Sequence, residues 1–225
     1  QVGAGIGGFL GTIEALKTFE FSERHGANLV VYEPIGVVGM ITPWNWPLNQ
    51  IALKVAPALA GGNTMVLKPS EECPGNAAIF AEILDAAGVP PGVFNLVQGD
   101  GPGVGAAISA HKGIDMVSFT GSTRAGILVA KAAADTVKCV HQELGGKSPN
   151  LVLPGADLAT VLPPTVSGVL INTGQSCIAP TRILVQKDQE AEAVGIIKGM
   201  FDGTQVGDPL TEGAHIGPVV NKTQY

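Results

Sequence analysis

The peptide from Asn172 to Arg182, Asn-Thr-Gly-Gln-Ser-Cys-Ile-Ala-Pro-Thr-Arg, sets Cys177 in a turn between a helical pattern and the strand-like run Ile183, Leu184, Val185. A thiol in a connecting segment is positioned for chemistry, because as thiolate it can add to an electrophilic carbon. The peptide alone leaves a second reading open: unpaired cysteines are among the most buried side chains and commonly act as small apolar groups. That second reading is the one expected for Cys73, at the entrance to a helix, and for Cys139, on the alternating face of a strand. Five polar or glycine-rich clusters could serve the chemistry of Cys177. They are Thr42-Pro43-Trp44-Asn45, Lys68-Pro69-Ser70-Glu71, Gly99-Asp100-Gly101, Thr120-Gly121-Ser122 and Glu143-Leu144-Gly145-Gly146-Lys147.

Each cluster closes an apolar run. Strands are expected over 35–42, 64–67, 93–97, 116–119 and 137–144, alternating with helices over 48–59 (interrupted by Pro57), 74–87, 104–111 and 122–134. Strand and helix alternating over short loops give an α/β fold, a Rossmann-like parallel sheet with helices on both faces. Ligands of such sheets bind outside the carboxyl ends of the strands, where all five clusters fall. Ahead of this region, Gly3, Gly5, Gly7 and Gly8 precede a helical pattern over 9–25 and a short lead-in strand over 29–32. No strand comes before those glycines, so they lack the context of a phosphate loop. After Lys147 the texture changes. A strand over 150–153, a helix over 158–172, a strand over 183–186 and a helix over 189–200 read as part of a second α/β domain. Pro163-Pro164 is expected to mark where the regular helix starts. The expected divisions are residues 1–33, 34–146 and 147–225.

Charged residues make up only 14% of the chain, against roughly 25% in an average domain, so part of the surface is expected to be covered. A net charge of −6 with no basic cluster argues against nucleic acid as a partner. No apolar run reaches the roughly 18 residues of a membrane-spanning helix. Three widely spaced cysteines indicate neither a disulfide framework nor a zinc site, and they suit the reducing cytoplasm. The chain starts at Gln1 and stops at 221–225, which reads as the opening of another helix; an internal portion of a longer protein is expected.

The stretches Ile-Thr-Pro-Trp-Asn-Trp-Pro-Leu (41–48), Lys-Pro-Ser-Glu (68–71), Phe-Thr-Gly-Ser-Thr (119–123), Glu-Leu-Gly-Gly-Lys-Ser-Pro (143–149) and Gly-Gln-Ser-Cys (174–177) resemble the aldehyde dehydrogenase superfamily. They occur in that family's order, and the resemblance runs from about Glu33 to Tyr225. It implies that Cys177 is the nucleophile, Asn45 the oxyanion donor and Glu143 the base that activates a deacylating water. Presence of that glutamate resembles the hydrolytic, carboxylate-forming branch. Lys68 and Glu71 match residues that hold the adenosine ribose. A carboxylate there favours NAD, while NADP stays open because Lys68 could turn to a 2′-phosphate. Gly121 and Ser122 open a helix whose N–H groups suit a pyrophosphate. Phe119 is implied beside the nicotinamide, and Gly101 and Gly105 let the backbone come close. Thr42, Pro43, Trp44, Ser70, Leu144 and Gly145 complete the implied cofactor set, which contains no metal. Trp46, Ser176 and Ile178 are expected around the reacting carbonyl of a small aldehyde. Homodimers or homotetramers are implied as well. Two family features are not in this sequence: a later glutamate that holds the nicotinamide ribose, and a subunit-bridging strand. A thiol esterase and a nucleotide-binding chain without turnover remain as alternatives.

Overall fold

The computed structural model describes residues 2–213 and 215–225. The chain forms two units, Gln1–Leu144 and Gly145–Tyr225. The first opens with α1 (Val2–Leu16), which starts earlier and ends sooner than the expected 9–25 helix and takes in the N-terminal glycines. Two of those glycines allow close approach to α2 (Pro47–Ala60): a Cβ on Gly5 would lie 3.2 Å from Leu48 Cγ, and one on Gly8 3.4 Å from Leu53 Cδ2, while Gly3 and Gly7 face open space. Helix contact outweighs the roughly 1 kcal/mol that each glycine costs within a helix. Residues 22–25 are not helical. They form β1 (Ser22–His25), paired antiparallel with β2 (Asn28–Val31) across a two-residue turn that needs Gly26 at φ 62°.

Five parallel strands follow: β3 (Val37–Ile41), β4 (Thr64–Lys68), β5 (Phe94–Leu96), β6 (Met116–Thr120) and β7 (Cys139–Glu143), in the order β5-β4-β3-β6-β7. Val38, Met40, Met65 and Leu67 pack on one side with Ile51 and Val55 of α2 and Phe80 and Leu84 of α3 (Pro74–Ala86). On the other side Ile41, Val117 and Phe119 meet Ile108 of α4 (Ala106–Ala110) and Val129 of α5 (Thr123–Ala134). Burial on both faces is why β3, β4 and β6 read as largely apolar runs. The chain lays down β3, β4 and β5 in one direction and then crosses back to place β6 and β7 on the far side of β3. Order therefore reverses between β3 and β6, the switch point at which such sheets open a ligand crevice.

Two local expectations fail in this unit. The helix expected over 104–111 begins as a π-turn, Gly101–Gly105, capped by Asp100. The last strand starts at Cys139 because Val137 sits in a turn at φ 53°. Along β7 the side chains of Cys139, His141 and Glu143 are exposed, while Val140 and Gln142 face α5. Cys139 is thus not the packed thiol that alternation suggested.

In the second unit β8 (Pro149–Leu151) and β9 (Arg182–Leu184) pair in parallel, and α6 (Leu158–Leu170) and α7 (Glu190–Asp202) supply a core of Val152, Leu158, Leu162 and Ala193. Asp157 caps α6, accepting from Ala159 N–H at 3.1 Å. Pro163 and Pro164 lie inside this helix rather than at its start. Burial of Leu162, Thr165 and Val166 offsets the two backbone hydrogen bonds that the prolines cannot donate. Residues 222–224 form a turn in which Tyr225 N–H donates to Asn221 O at 3.3 Å.

Candidate active site

Parallel register brings the first-unit clusters to one edge of the sheet. Ile41 pairs with Lys68 on one side and Phe119 on the other, and Thr120 pairs with Glu143. Trp46-Pro47 starts α2, so Asn45 stands in the turn between β3 and the helix. The Asn45 side-chain oxygen accepts from Trp46 N–H at 3.1 Å, which fixes the plane of its amide. Pro43 and Trp44 are half-buried in the same turn.

Thr42 and Thr120 follow β3 and end β6 on either side of the switch point. Both are buried, and both hydroxyl oxygens lack a hydrogen-bond partner among the described residues. Buried polar groups are normally paired, so these two hydroxyls stand out at the switch point.

Lys68 is more deeply buried than its position at a strand end suggested, with its side chain only 2% exposed. Its ammonium donates to Pro69 O at 2.7 Å, Gly99 O at 2.8 Å and Glu71 Oε2 at 3.2 Å. Three donors meet three acceptors, joining the ends of β4 and β5. The Glu71 side chain is 56% exposed at the rim. Ser70 is buried and its hydroxyl accepts from Glu72 N–H, so it shapes the turn. Cys73 is half-buried beside it; burial, then the charge of Glu72, pushes its thiol above the ordinary value.

Asp100 Oδ1 accepts from Gly103 N–H at 2.8 Å and so shapes the π-turn, in which Gly101 faces open space and Gly105 is buried. Phe119 is buried under Gly121, where a Cβ would come 2.6 Å from the ring. Ser122 caps α5 by accepting from Ala125 N–H at 3.2 Å. The other N–H groups of the first turn are those that a helix leaves without an intrahelical partner. Leu144 packs into the cleft of α5 opened by Gly126, where a Cβ would lie 2.6 Å from Leu144 Cδ2. Its side chain anchors β7.

The Glu143 side chain is 62% exposed. His141 Nε2 lies 3.8 Å away on the same face of β7. A residue that the sequence analysis missed, Lys54, approaches from α2. It is buried and donates to Ser118 Oγ of β6 at 2.9 Å. Burial pulls its ammonium down to about 8, against the Glu143 carboxylate, which raises it. The available signal was a lone lysine among Ile51, Ala52, Val55 and Ala56 on an otherwise apolar helix face.

In the second unit Cys177 is half-buried in a loop that begins with a turn over Ile171–Gly174. A Cβ on Gly146 would come 3.1 Å from Cys177 O, so the absence of a side chain there lets the two backbones meet. Gly145 lies beside open space. Ile178 is exposed and Ser176 half-buried. Among the described residues no group of three His, Cys, Asp or Glu could hold a metal, and no helix is long and apolar enough to cross a membrane.

Residues 7–225 match the aldehyde dehydrogenase family. The chain belongs to that family. It is 55% identical to a 3-succinoylsemialdehyde-pyridine dehydrogenase of Pseudomonas sp, across all of this chain and 47% of that one. Its fold matches the crystal structure of an aldehyde dehydrogenase from Bartonella henselae with a TM-score of 0.94 at 50% identity, over 99% of this chain and 48% of that one. A Pseudomonas syringae aldehyde dehydrogenase, solved as a cysteine-to-alanine variant with NAD+ and octanal, gives 0.92 at 51% identity, over 96% and 45% of the two chains. The chain thus spans about half the length of the relatives it matches.

Proposed function

We propose that the complete protein oxidises an aldehyde to a carboxylate with NAD, with Cys177 as nucleophile, Asn45 as oxyanion donor and Glu143 as base. The structural observation that carries this reading is the reversal of strand order between β3 and β6, with the unpaired hydroxyls of Thr42 and Thr120 on either side of it. The family match over residues 7–225 contains all three catalytic candidates.

In this reading the Cys177 thiolate adds to the aldehyde carbon and forms a thiohemiacetal. The Asn45 side-chain N–H and the Cys177 backbone N–H stabilise charge on the carbonyl oxygen. NAD, when bound, supplies the hydride acceptor. The resulting thioester on Cys177 is cleaved by a water that loses its proton to Glu143. The exposed Glu71 carboxylate favours NAD over NADP, and the three donors of Lys68 are engaged within the protein. Self-association into dimers or tetramers would cover the exposed Ile127 and Leu128 of α5. Three unpaired thiols suit a cytoplasmic setting.

The test is an aldehyde panel run on the complete natural protein with both nicotinamide cofactors. NADH formation that disappears in Cys177→Ala is expected. Undiminished NADH formation in that variant would refute the assignment.

A further inference from the structure

We propose that Gln175, assisted by Thr173, is a positioning residue for Cys177, tying the turn ahead of the cysteine to the segment 215–220. The inference rests on the reading of Cys177 as nucleophile and adds to it the means by which the sulfur is held.

Three successive residues of that turn, Asn172 (φ 56°), Thr173 (φ 58°) and Gly174 (φ 73°), lie in the left-handed region. Glycine adopts it freely, asparagine tolerates it, and a β-branched threonine strongly disfavours it. Such backbone persists only where its surroundings over-determine it. Packing does not supply this, for a cavity of about 490 Å³ adjoins the turn, lined by Ile171, Asn172, Thr173, Met200, Thr204 and His215.

Hydrogen bonds do. Gln175 uses both ends of its amide: Nε2 donates to Asn172 O at 3.0 Å, and Oε1 accepts from Val220 N–H at 2.9 Å. Thr173 Oγ1 donates to Gly217 O at 3.3 Å. The segment that receives these bonds is itself fixed. His215 Nδ1 accepts from Gln205 N–H at 3.0 Å, Ile216 N–H donates to Gln205 O at 3.2 Å, and Gly207 N–H donates to Ile216 O at 3.0 Å. Residues 205–207 come directly after α7, so the place of the nucleophile loop is referred back to a packed helix. Gln175 precedes Cys177 by two residues, and a shift of its backbone moves the sulfur.

The experiment uses the complete natural protein and three variants, Gln175→Met, Gln175→Glu and Thr173→Gly. It reads kcat, KM for NAD, the melting temperature, and the pH-dependent rate at which iodoacetamide alkylates Cys177. Methionine matches glutamine in length but makes neither bond. Gln175→Met is expected to lower kcat and the alkylation rate together, by about tenfold or more, as small misplacements of a reacting group do, with KM for NAD unchanged. Glutamate keeps the acceptor for Val220 N–H, and Gln175→Glu is expected to retain more of both rates than the methionine variant. Thr173→Gly relieves the backbone strain and removes the bond to Gly217, so its melting temperature holds or rises while both rates fall several-fold. Wild-type rates in Gln175→Met overturn the proposal. If that variant does not fold, wild-type rates in Thr173→Gly overturn it instead. Failure of the underlying reading is seen separately, as aldehyde oxidation that survives Cys177→Ala.

Discussion

Thr42 and Thr120 flank the point where strand order reverses, and the hydroxyl oxygen of each is buried without a partner among the described residues. Leaving a buried hydroxyl unpaired costs about 1–3 kcal/mol. Two such costs at the carboxyl ends of neighbouring strands fall where a dinucleotide would enter the sheet. Stability is given up at the place where binding would recover it.

Thr42→Val and Thr120→Val should separate the two effects. Valine keeps the shape and removes the hydroxyl, so each variant without ligand should gain about 1 kcal/mol in unfolding free energy. NAD affinity should move the other way and fall by about tenfold, the equivalent of one hydrogen bond. Thermal unfolding without ligand and titration calorimetry with NAD measure the pair. Unchanged affinity in both variants would mean that neither hydroxyl meets the cofactor.

Lys54 makes stability depend on pH. Its ordinary value of 10.5 falls to about 8 in the fold, through burial first, with Glu143 opposing. Below 8 the folded and unfolded states both hold the proton, and the fold carries the full cost of burying an ammonium. Between 8 and 10.5 the unfolded chain binds more protons than the folded one, so this contribution to stability rises with pH. Lys54→Met removes the cost. It should stabilise the protein near neutral pH by at most on the order of 3 kcal/mol, less the value of the lost bond to Ser118. The gain should shrink as pH climbs through that window. Denaturant melts of both proteins across the range check the trend, and a gap between them that ignores pH would remove Lys54 from the account.

Glu143 and Cys177 act at different stages in the proposed mechanism, and a single substitution should tell them apart. Glu143→Gln retains size and polarity but cannot accept a proton from water. Mixed rapidly with aldehyde and NAD, it should give one burst of NADH and then stall as the acyl-enzyme. Intact-mass measurement during the stall should find the acyl group on Cys177. Steady turnover at the wild-type rate would leave deacylation without its assigned base.

The centre of the sheet could be read in advance because β3, β4 and β6 are covered on both faces. Runs such as Met65-Val66-Leu67 are apolar throughout, and only a doubly covered strand requires that. Chemistry at the strand ends was visible as residue types, yet its state was not. Burial of Lys68 depends on Gly99 O, contributed from 31 residues further on, and no local pattern announces such a partner. The orphaned hydroxyls of Thr42 and Thr120 likewise follow from strand order rather than from neighbouring sequence. Local rules misled where packing outweighed them, at Pro163-Pro164 within α6 and at the glycines of α1. They also misled at Val137, whose β-branched side chain reads as strand but sits in a left-handed turn. The turn at Asn172-Thr173 carries no sequence signal beyond its asparagine and the glycine that follows, because its hydrogen bonds reach residues 217 and 220.

Coenzyme choice should rest on Glu71 rather than on Lys68. A 2′-phosphate arriving at the ribose meets the exposed Glu71 carboxylate and would be repelled. Lys68 could answer that phosphate only by giving up Glu71 Oε2, Pro69 O or Gly99 O, and the two carbonyls are acceptors that it satisfies in a buried place. Glu71→Gln removes the charge and leaves the clamp, so kcat/KM with NADP should rise by about tenfold while the value with NAD falls modestly. Lys68→Met should instead depress both cofactors and the melting temperature, because it unties the ends of β4 and β5. The ratio of the two kcat/KM values decides between them. A ratio untouched by Glu71→Gln would place the ribose elsewhere, and a ratio shifted toward NAD by Lys68→Met alone would show the lysine, against this expectation, reading the phosphate.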